Sequence, residues 1–148
     1  MTQLEEKIQS IRSSLNVSYV KPQQTTVNQY IENLKSNTFA LDYLHITRGL
    51  TPETIENFKL GYDIEKNAIS IPVYKRGELI NIRYRNLDEK ATSKYTQEKG
   101  CEVWLYNEDG IAKGQSKGGV LIVEGEFDCM SAWQAGFKNC ISPVSGMD

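Results

Sequence analysis

The sequence predicts an α/β protein: N-terminal helices, then a small mixed or antiparallel sheet, then the first β-α-β of a parallel sheet. Three observations predict it. Before residue 48, apolar residues recur at helical spacing. Ala68 to Tyr74 and Glu78 to Arg85 alternate apolar with polar residues, and Lys75, Arg76 and Gly77 between them form a hairpin turn. Val120 to Val123 is an uninterrupted apolar run, followed by Gly125, a stretch of helical composition from Phe127 to Ala135, and a second apolar segment from Cys140 to Val144. That run is too short for a stand-alone helix and too uniform for a half-exposed strand, which predicts a central strand buried on both faces.

Taken in order, Leu4, Ile8, Ile11 and Leu15 give an amphipathic helix over residues 2 to 15, and the polar stretch Asn16 to Thr26, with Pro22, reads as a linker. Thr25 or Thr26 caps a second helix striped by Val27, Tyr30, Ile31 and Leu34. A third, Asn37 to Arg48, carries Phe39, Tyr43, Leu44 and Ile46. Such stripes are core or domain-docking faces, and His45 among them is a structural or surface histidine. Thr51 followed by Pro52 starts a fourth helix, buried through Ile55, Phe58 and Leu60 and ended by Gly61. In the second alternating strand, Ile80, Ile82 and Tyr84 point one way and Asn81, Arg83 and Arg85 the other. A polar loop follows, then a short strand from Glu102 to Tyr106 with Val103 and Leu105 opposite Trp104, then a connection from Gly110 to Gly119. Its Gly114 to Gly119 spacing lacks the Lys-Ser/Thr of a nucleotide phosphate loop. The helix after Val123 closes at Gly136.

The 148 residues carry a formal charge of −2, so bulk composition does not argue for a nucleic-acid partner. Distribution is more informative. Lys75 to Lys99 holds seven Lys or Arg against four Asp or Glu, whereas Val120 to Asp148 holds four acids against Lys138 alone. A basic segment beside an acidic one suits phosphate on one side and metal on the other; two ordinarily charged surfaces are the alternative. Cys101, Cys129 and Cys140 show no CxxC spacing, and with His45 the only histidine a structural zinc site is excluded. No signal peptide or membrane-length apolar run is present, which points to a reduced, cytoplasmic protein without a membrane partner.

Two positions carry candidate chemistry. Glu124 falls at the carboxyl end of the apolar strand, the working edge of an open parallel sheet, and Asp128 lies one helical turn further on. Paired carboxylates there suit Mg²⁺, or Mn²⁺; alternatively Asp128 favours the positive helix start and Glu124 is simply solvated. Arg83 and Arg85 stand roughly 6–7 Å apart on one strand face, near the repeat of nucleic-acid phosphates. Guanidinium groups bind phosphate bidentately, although a charged strand face also blocks edge pairing.

Leu121-Ile-Val-Glu-Gly-Glu-Phe-Asp128, with Gly136 and Ser145-Gly146, resembles the opening of a Toprim domain, the metal-binding fold of bacterial and phage primases, topoisomerases and some nucleases. Arg48-Gly-Leu-Thr-Pro-Glu-Thr to Tyr62 is similar to the stretch preceding the first strands of the primase polymerase domain. Ser93-Lys-Tyr-Thr96 resembles the primase basic motif, and Trp104-Leu-Tyr-Asn107 the phrase before the Toprim strand. The resemblance implies a DNA primase of the phage primase-helicase kind, which joins NTPs on a single-stranded DNA template beside a replicative helicase in cis or in trans. It implies a catalytic and metal-binding role for Glu124 supported by Asp128. It also implies nucleotide or template binding by Lys94 and one of Arg83 and Arg85, with Tyr95 stacking on a base or packing. An Asp-x-Asp motif on a later strand completes the metal site in that family and does not occur here, so the chain is expected to hold half a site and to make no primer alone.

The division expected is a helical segment and linker over 1–48, the N-terminal subdomain of a primase polymerase core over 49–117, and the start of an incomplete Toprim domain over 118–148. The acidic lip and the basic strand are expected to line one cleft. The competing readings are a non-catalytic module that binds single-stranded DNA and docks a helicase, or a Toprim nuclease.

Overall fold

A computed structural model describes residues 2–15, 18–113 and 118–143. Helix α1 spans Gln3–Leu15, and its Leu4 and Ile8 face solvent. Helix α2, Gln24–Lys35, buries Val27 and Leu34. Gln23 is its cap and makes no side-chain capping bond, so Thr25 and Thr26 lie inside the first turn instead of capping it. The helix starts as soon as the extended Gln23 has passed Pro22.

Asn37 accepts a hydrogen bond from the Ala40 N–H at 2.9 Å and opens α3, Thr38–Asp42. This runs directly into a π-helical turn, Tyr43–Thr47, closed by Arg48 N–H donating to the Tyr43 carbonyl at 3.0 Å. Ala40 and Leu44 are buried while Phe39 and Ile46 are exposed, against the expected stripe, and the wider turn resets the phase of the residues within and beyond it. Helix α4, Pro52–Asn57, begins as expected, with the Thr51 hydroxyl accepting from Thr54 N–H at 3.3 Å. It does not end at Gly61. Lys59, at φ 53°, takes the left-handed reversal, and Gly61 opens a strand where a Cβ would lie 2.6 Å from the Tyr30 backbone. That glycine is there for the close approach of α2.

Strands β1 (Gly61–Asp63), β2 (Ala68–Lys75), β3 (Glu78–Asn86) and β4 (Tyr95–Gln97) form an antiparallel sheet in chain order. Arg76 and Gly77, at φ 52° and 80°, make a two-residue hairpin turn whose N–H groups both donate to the Asp109 carboxylate at 2.8 Å. The register shifts after Val73, which pairs with Asn81 while Tyr74 pairs with Leu79, leaving Ile80 as an extra residue. Consequently Leu79, Ile82 and Tyr84 pack with Val27 of α2, and Ile80 joins the main core rather than sharing their face. β4 lies in the expected polar loop; it is held by backbone pairing to β3, which leaves no apolar alternation to read.

A second sheet has the order β5-β7-β6: Leu105–Tyr106, Cys140–Pro143 and Leu121–Ile122. Between Tyr106 and Leu121 runs α5, Glu108–Lys113. Helix α6, Glu126–Gln134, connects β6 to β7, and those two strands are parallel, giving the expected strand-helix-strand unit. Gly136, at φ 103°, closes the helix. The expected burial of Val120 to Val123 on both faces does not hold: Val120, Leu121 and Ile122 are 43%, 45% and 66% exposed. β6 is an edge strand, and among the described residues only β7 pairs with it. Val144, Ser145, Gly146 and Gly114 lie outside the described residues.

The main core runs through both sheets. Leu44, Ile55, Ile69 and Ile71 share one cluster with Tyr106, Phe127 and Met130. Phe58 stacks on Tyr106 at 5.9 Å and meets Trp133 edge-on at 5.5 Å, so α4 is wedged against α6 and β5. Gln134 of α6 reinforces that contact by accepting from Thr51 N–H and the Thr54 hydroxyl, both at 2.8 Å.

Candidate nucleic-acid and metal site

The acidic turn after β6 reaches the basic face of β3. Gly125 caps α6 in an extended conformation, placing Glu124 just before the helix and Glu126 and Asp128 in its first turn. These three acids separate by environment. Glu124 and Asp128 are exposed, with an Asp128 carboxylate oxygen 3.5 Å from where a Gly125 Cβ would stand. Glu126 is 3% exposed and accepts from Arg83 Nε–H at 2.7 Å. The contact between acidic lip and basic strand is therefore made by Glu126, which the sequence reading did not single out; only its place in the Glu-Gly-Glu phrase hinted at it.

Arg85 also lies on this face, and Tyr95 of β4 sits opposite it in register. The Tyr95 ring centre is 5.6 Å from the Arg83 guanidinium carbon and 5.3 Å from that of Arg85, so the half-buried ring rests against both. Burial raises the Tyr95 hydroxyl pKa above its ordinary value, against the pull of Arg48 and Arg85. Arg85 Nε–H donates to the Tyr43 hydroxyl at 3.2 Å, and its other contacts go to the carbonyls of Asn86 and Lys94 at 3.2 and 3.4 Å.

Arg48, used in the sequence reading only as part of a helix-start phrase, belongs to the same cluster. Its Nε–H donates to the Tyr43 hydroxyl at 2.8 Å, and its guanidinium carbon lies 4.2 Å from the Phe127 ring centre. The π turn places Tyr43 where both arginines reach its hydroxyl. No periodicity in the sequence marks that turn. Lys94 is exposed and lines, with Arg85, Tyr43 and Ile46, an open groove of about 580 Å³. Among the described residues, neither Arg48, Arg85 nor Lys94 has a carboxylate at ion-pair distance, while Arg83 has Glu126. Asp42, Asp88 and Glu89 line the same groove as Arg85 and Lys94, so the groove is of mixed charge, but its two cations are not held in ion pairs among the described residues and keep donors suited to phosphate.

The stretch Trp104 to Asn107 makes structural contacts. Trp104 Nε1–H donates to Glu108, and Lys75 stacks over the Trp104 ring at 3.8 Å while pairing with Glu102 at 2.7 Å. His45 Nδ1 is 2.8 Å from the Leu50 carbonyl oxygen, a local structural contact. Among the described residues no group of three or more His, Cys, Asp or Glu could hold a metal. Glu124 and Asp128 supply hard oxygen donors of the kind Mg²⁺ and Mn²⁺ accept, so the donor chemistry fits, but as part of a coordination sphere only.

No family model matches the chain. Solved structures do. A primase from Aquifex aeolicus comprising zinc-binding and RNA polymerase domains superposes with a TM-score of 0.70 at 22% identity, over 80% of this chain and 40% of that one. The E. coli primase catalytic core gives 0.70 at 20% identity, over 82% and 53%. A DnaG primase catalytic domain bound to single-stranded DNA gives 0.70 at 20% identity, over 84% and 52%. The fold is that of part of a primase catalytic core, the chain spanning about half of those structures or less. In sequence the chain is 37% identical over 79 residues to a primase homolog protein of Arabidopsis thaliana, and 38% identical over 79 residues to that plant's chloroplastic/mitochondrial Twinkle homolog protein. The match covers 53% of this chain in each case, but only 21% and 10% of those relatives' lengths.

Proposed function

We propose that the chain is part of a Toprim-type DNA primase that joins ribonucleotides on a single-stranded DNA template. The observation that carries this reading is the docking of the α6 start onto β3 through Glu126 and Arg83, which joins the helix that begins beside Glu124 to the strand that also bears Arg85. A nucleotidyl transfer needs acids for metal and cations for phosphate, and these two elements carry the one and the other. Glu124 is the metal-binding and catalytic carboxylate, supported by Asp128. Arg85 and Lys94 hold the triphosphate or template backbone, with Arg48 beside them. Tyr95 packs between arginines rather than stacking on a base. Glu124, with Asp128, would contribute to holding Mg²⁺ or Mn²⁺, which would supply Lewis-acid activation of a hydroxyl and charge neutralisation at pyrophosphate.

The subdomain division at 49–117 and 118–148 belongs to this reading, with the NTP site at the junction. A replicative helicase is the proposed partner, in the same or a separate polypeptide, as the resemblance of the sequence to phage primase-helicases implies. The cytoplasm as compartment fits the three free cysteines, and a phage-like affiliation rests on the resemblance of the sequence alone.

The test is Glu124→Gln in the complete parent protein. Primer synthesis should fall by at least 100-fold while binding to single-stranded DNA stays within twofold, in line with removal of one key electrostatic group costing about 10²–10³ in rate. The 148-residue chain alone should make no primer with Mg²⁺ and NTPs. Unchanged synthesis by the variant would support the binding-module reading instead.

A further inference from the structure

We infer that Glu126 is a positioning residue that withdraws Arg83 from phosphate binding and uses it to brace Tyr95, leaving Arg85 as the arginine of β3 that donates hydrogen bonds to phosphate. The inference rests on the proposed binding of nucleic-acid or nucleotide phosphate to this face. The two arginines are equivalent in sequence, on the same side of one strand, and the structure makes them different. Arg83 and Glu126 have side chains only 13% and 4% exposed and are joined at 2.7 Å. A phosphate brought to Arg83 would have to displace or sit beside a buried carboxylate, and like charges in a desolvated site repel strongly. One further Arg83 nitrogen leans on Gln97 at 3.4 Å, which occupies another of its donors.

Arg85 is held by neutral acceptors only: a hydroxyl and two carbonyls, at 3.2 to 3.4 Å. These orient the guanidinium without neutralising it. Because the Tyr95 ring touches both guanidinium groups, fixing Arg83 through Glu126 fixes the wall against which Arg85 is set. The pair is thus a clasp between the α6 start and β3 that keeps the neighbouring cation presented to ligand.

The experiment uses the chain as it stands, with a fluorescein-labelled 12-nucleotide single-stranded DNA as probe, titrated by anisotropy at several KCl concentrations. Arg85→Ala should weaken binding about five- to tenfold and reduce the slope of log affinity against log salt by about one, as loss of one phosphate contact does. The double variant Arg83→Met with Glu126→Met, which removes both buried charges and with them the clasp, should weaken binding by about two- to fourfold through a less firmly set Arg85 and leave the slope unchanged, because no phosphate contact is lost. A double variant that loses affinity and slope as Arg85→Ala does would overturn the inference, because Arg83 would then be touching phosphate. So would an Arg85→Ala protein with the parent slope. A second measurement does not involve nucleic acid: the Arg83 Nε–H should exchange with solvent more slowly than that of Arg85 by NMR. Equal exchange would dispose of the clasp even if DNA binds, whereas slow Arg83 exchange in a chain that binds no DNA would count against the proposed function and leave the clasp standing.

Discussion

At the residue scale, the buried pair of Arg83 and Glu126 has a stability signature of its own. Removing one member of such a pair leaves the other charged and desolvated, which costs about 3–5 kcal/mol, while replacing both by apolar groups of similar size is often near neutral. Glu126→Gln should therefore lower the urea stability of the chain by about 3 kcal/mol, at the low end because Arg83 retains some access to water. The Met–Met double variant should lie within about 1 kcal/mol of the parent. A single variant as stable as the double would mean that the pair is not desolvated in solution. Asp128, four residues from Glu124, faces solvent instead, so substitution there is expected to act on metal chemistry and not on folding.

At the scale of elements, β6 is the exposed one. It is a short strand at the sheet edge with Leu121 and Ile122 open to solvent, and Phe137 beyond α6 is exposed as well. Unpaired backbone beside apolar side chains is a template for pairing with another chain. The isolated chain should therefore self-associate as concentration rises, and Ile122→Lys should suppress this without lowering stability by more than about 0.5 kcal/mol, as for surface changes in general. Light scattering across a concentration series checks it; a parent chain that stays monomeric throughout would rule the edge out as an association site. Much of the element order could be read beforehand, because the Thr51 cap, the hairpin turn and the strand-helix-strand pattern are local chemistry. Ile80 and the π turn could not. A bulge and an extra residue in a helical turn are responses to packing on the far side of the element, and the same local sequence is compatible with either geometry.

For the molecule as a whole, the shared core makes alkaline stability a collective property. Burial raises the pKa of the thiols of Cys101, Cys129 and Cys140, and of the hydroxyls of Tyr30, Tyr62, Tyr84, Tyr95 and Tyr106. Each group is neutral when protonated, so the folded state holds its proton more tightly than the unfolded chain does. Their contribution is then fully present below the unfolded values, about 8.5 for thiols and about 10 for tyrosines, and is lost as pH rises beyond them. The urea midpoint should fall from about pH 8.5 upward, first through the thiols and then more steeply through the tyrosines. A midpoint that stays level to about pH 11 would show that these groups open to water without unfolding.

The sequence by itself determined the α/β class, most of the helices and strands though not β1, β4 or α5, the hairpin, and the set of acids and cations from which a site could be built, because period, turn chemistry and charge are properties of neighbouring residues. Only the tertiary structure decided which members of that set meet. Glu126 takes Arg83, Tyr43 gathers Arg48 and Arg85, and Tyr95 lies between two guanidinium groups because α6, the π turn and β4 converge on one face of β3. Those contacts join residues up to 43 positions apart, and their partners are chosen by which charges lose water when the core closes.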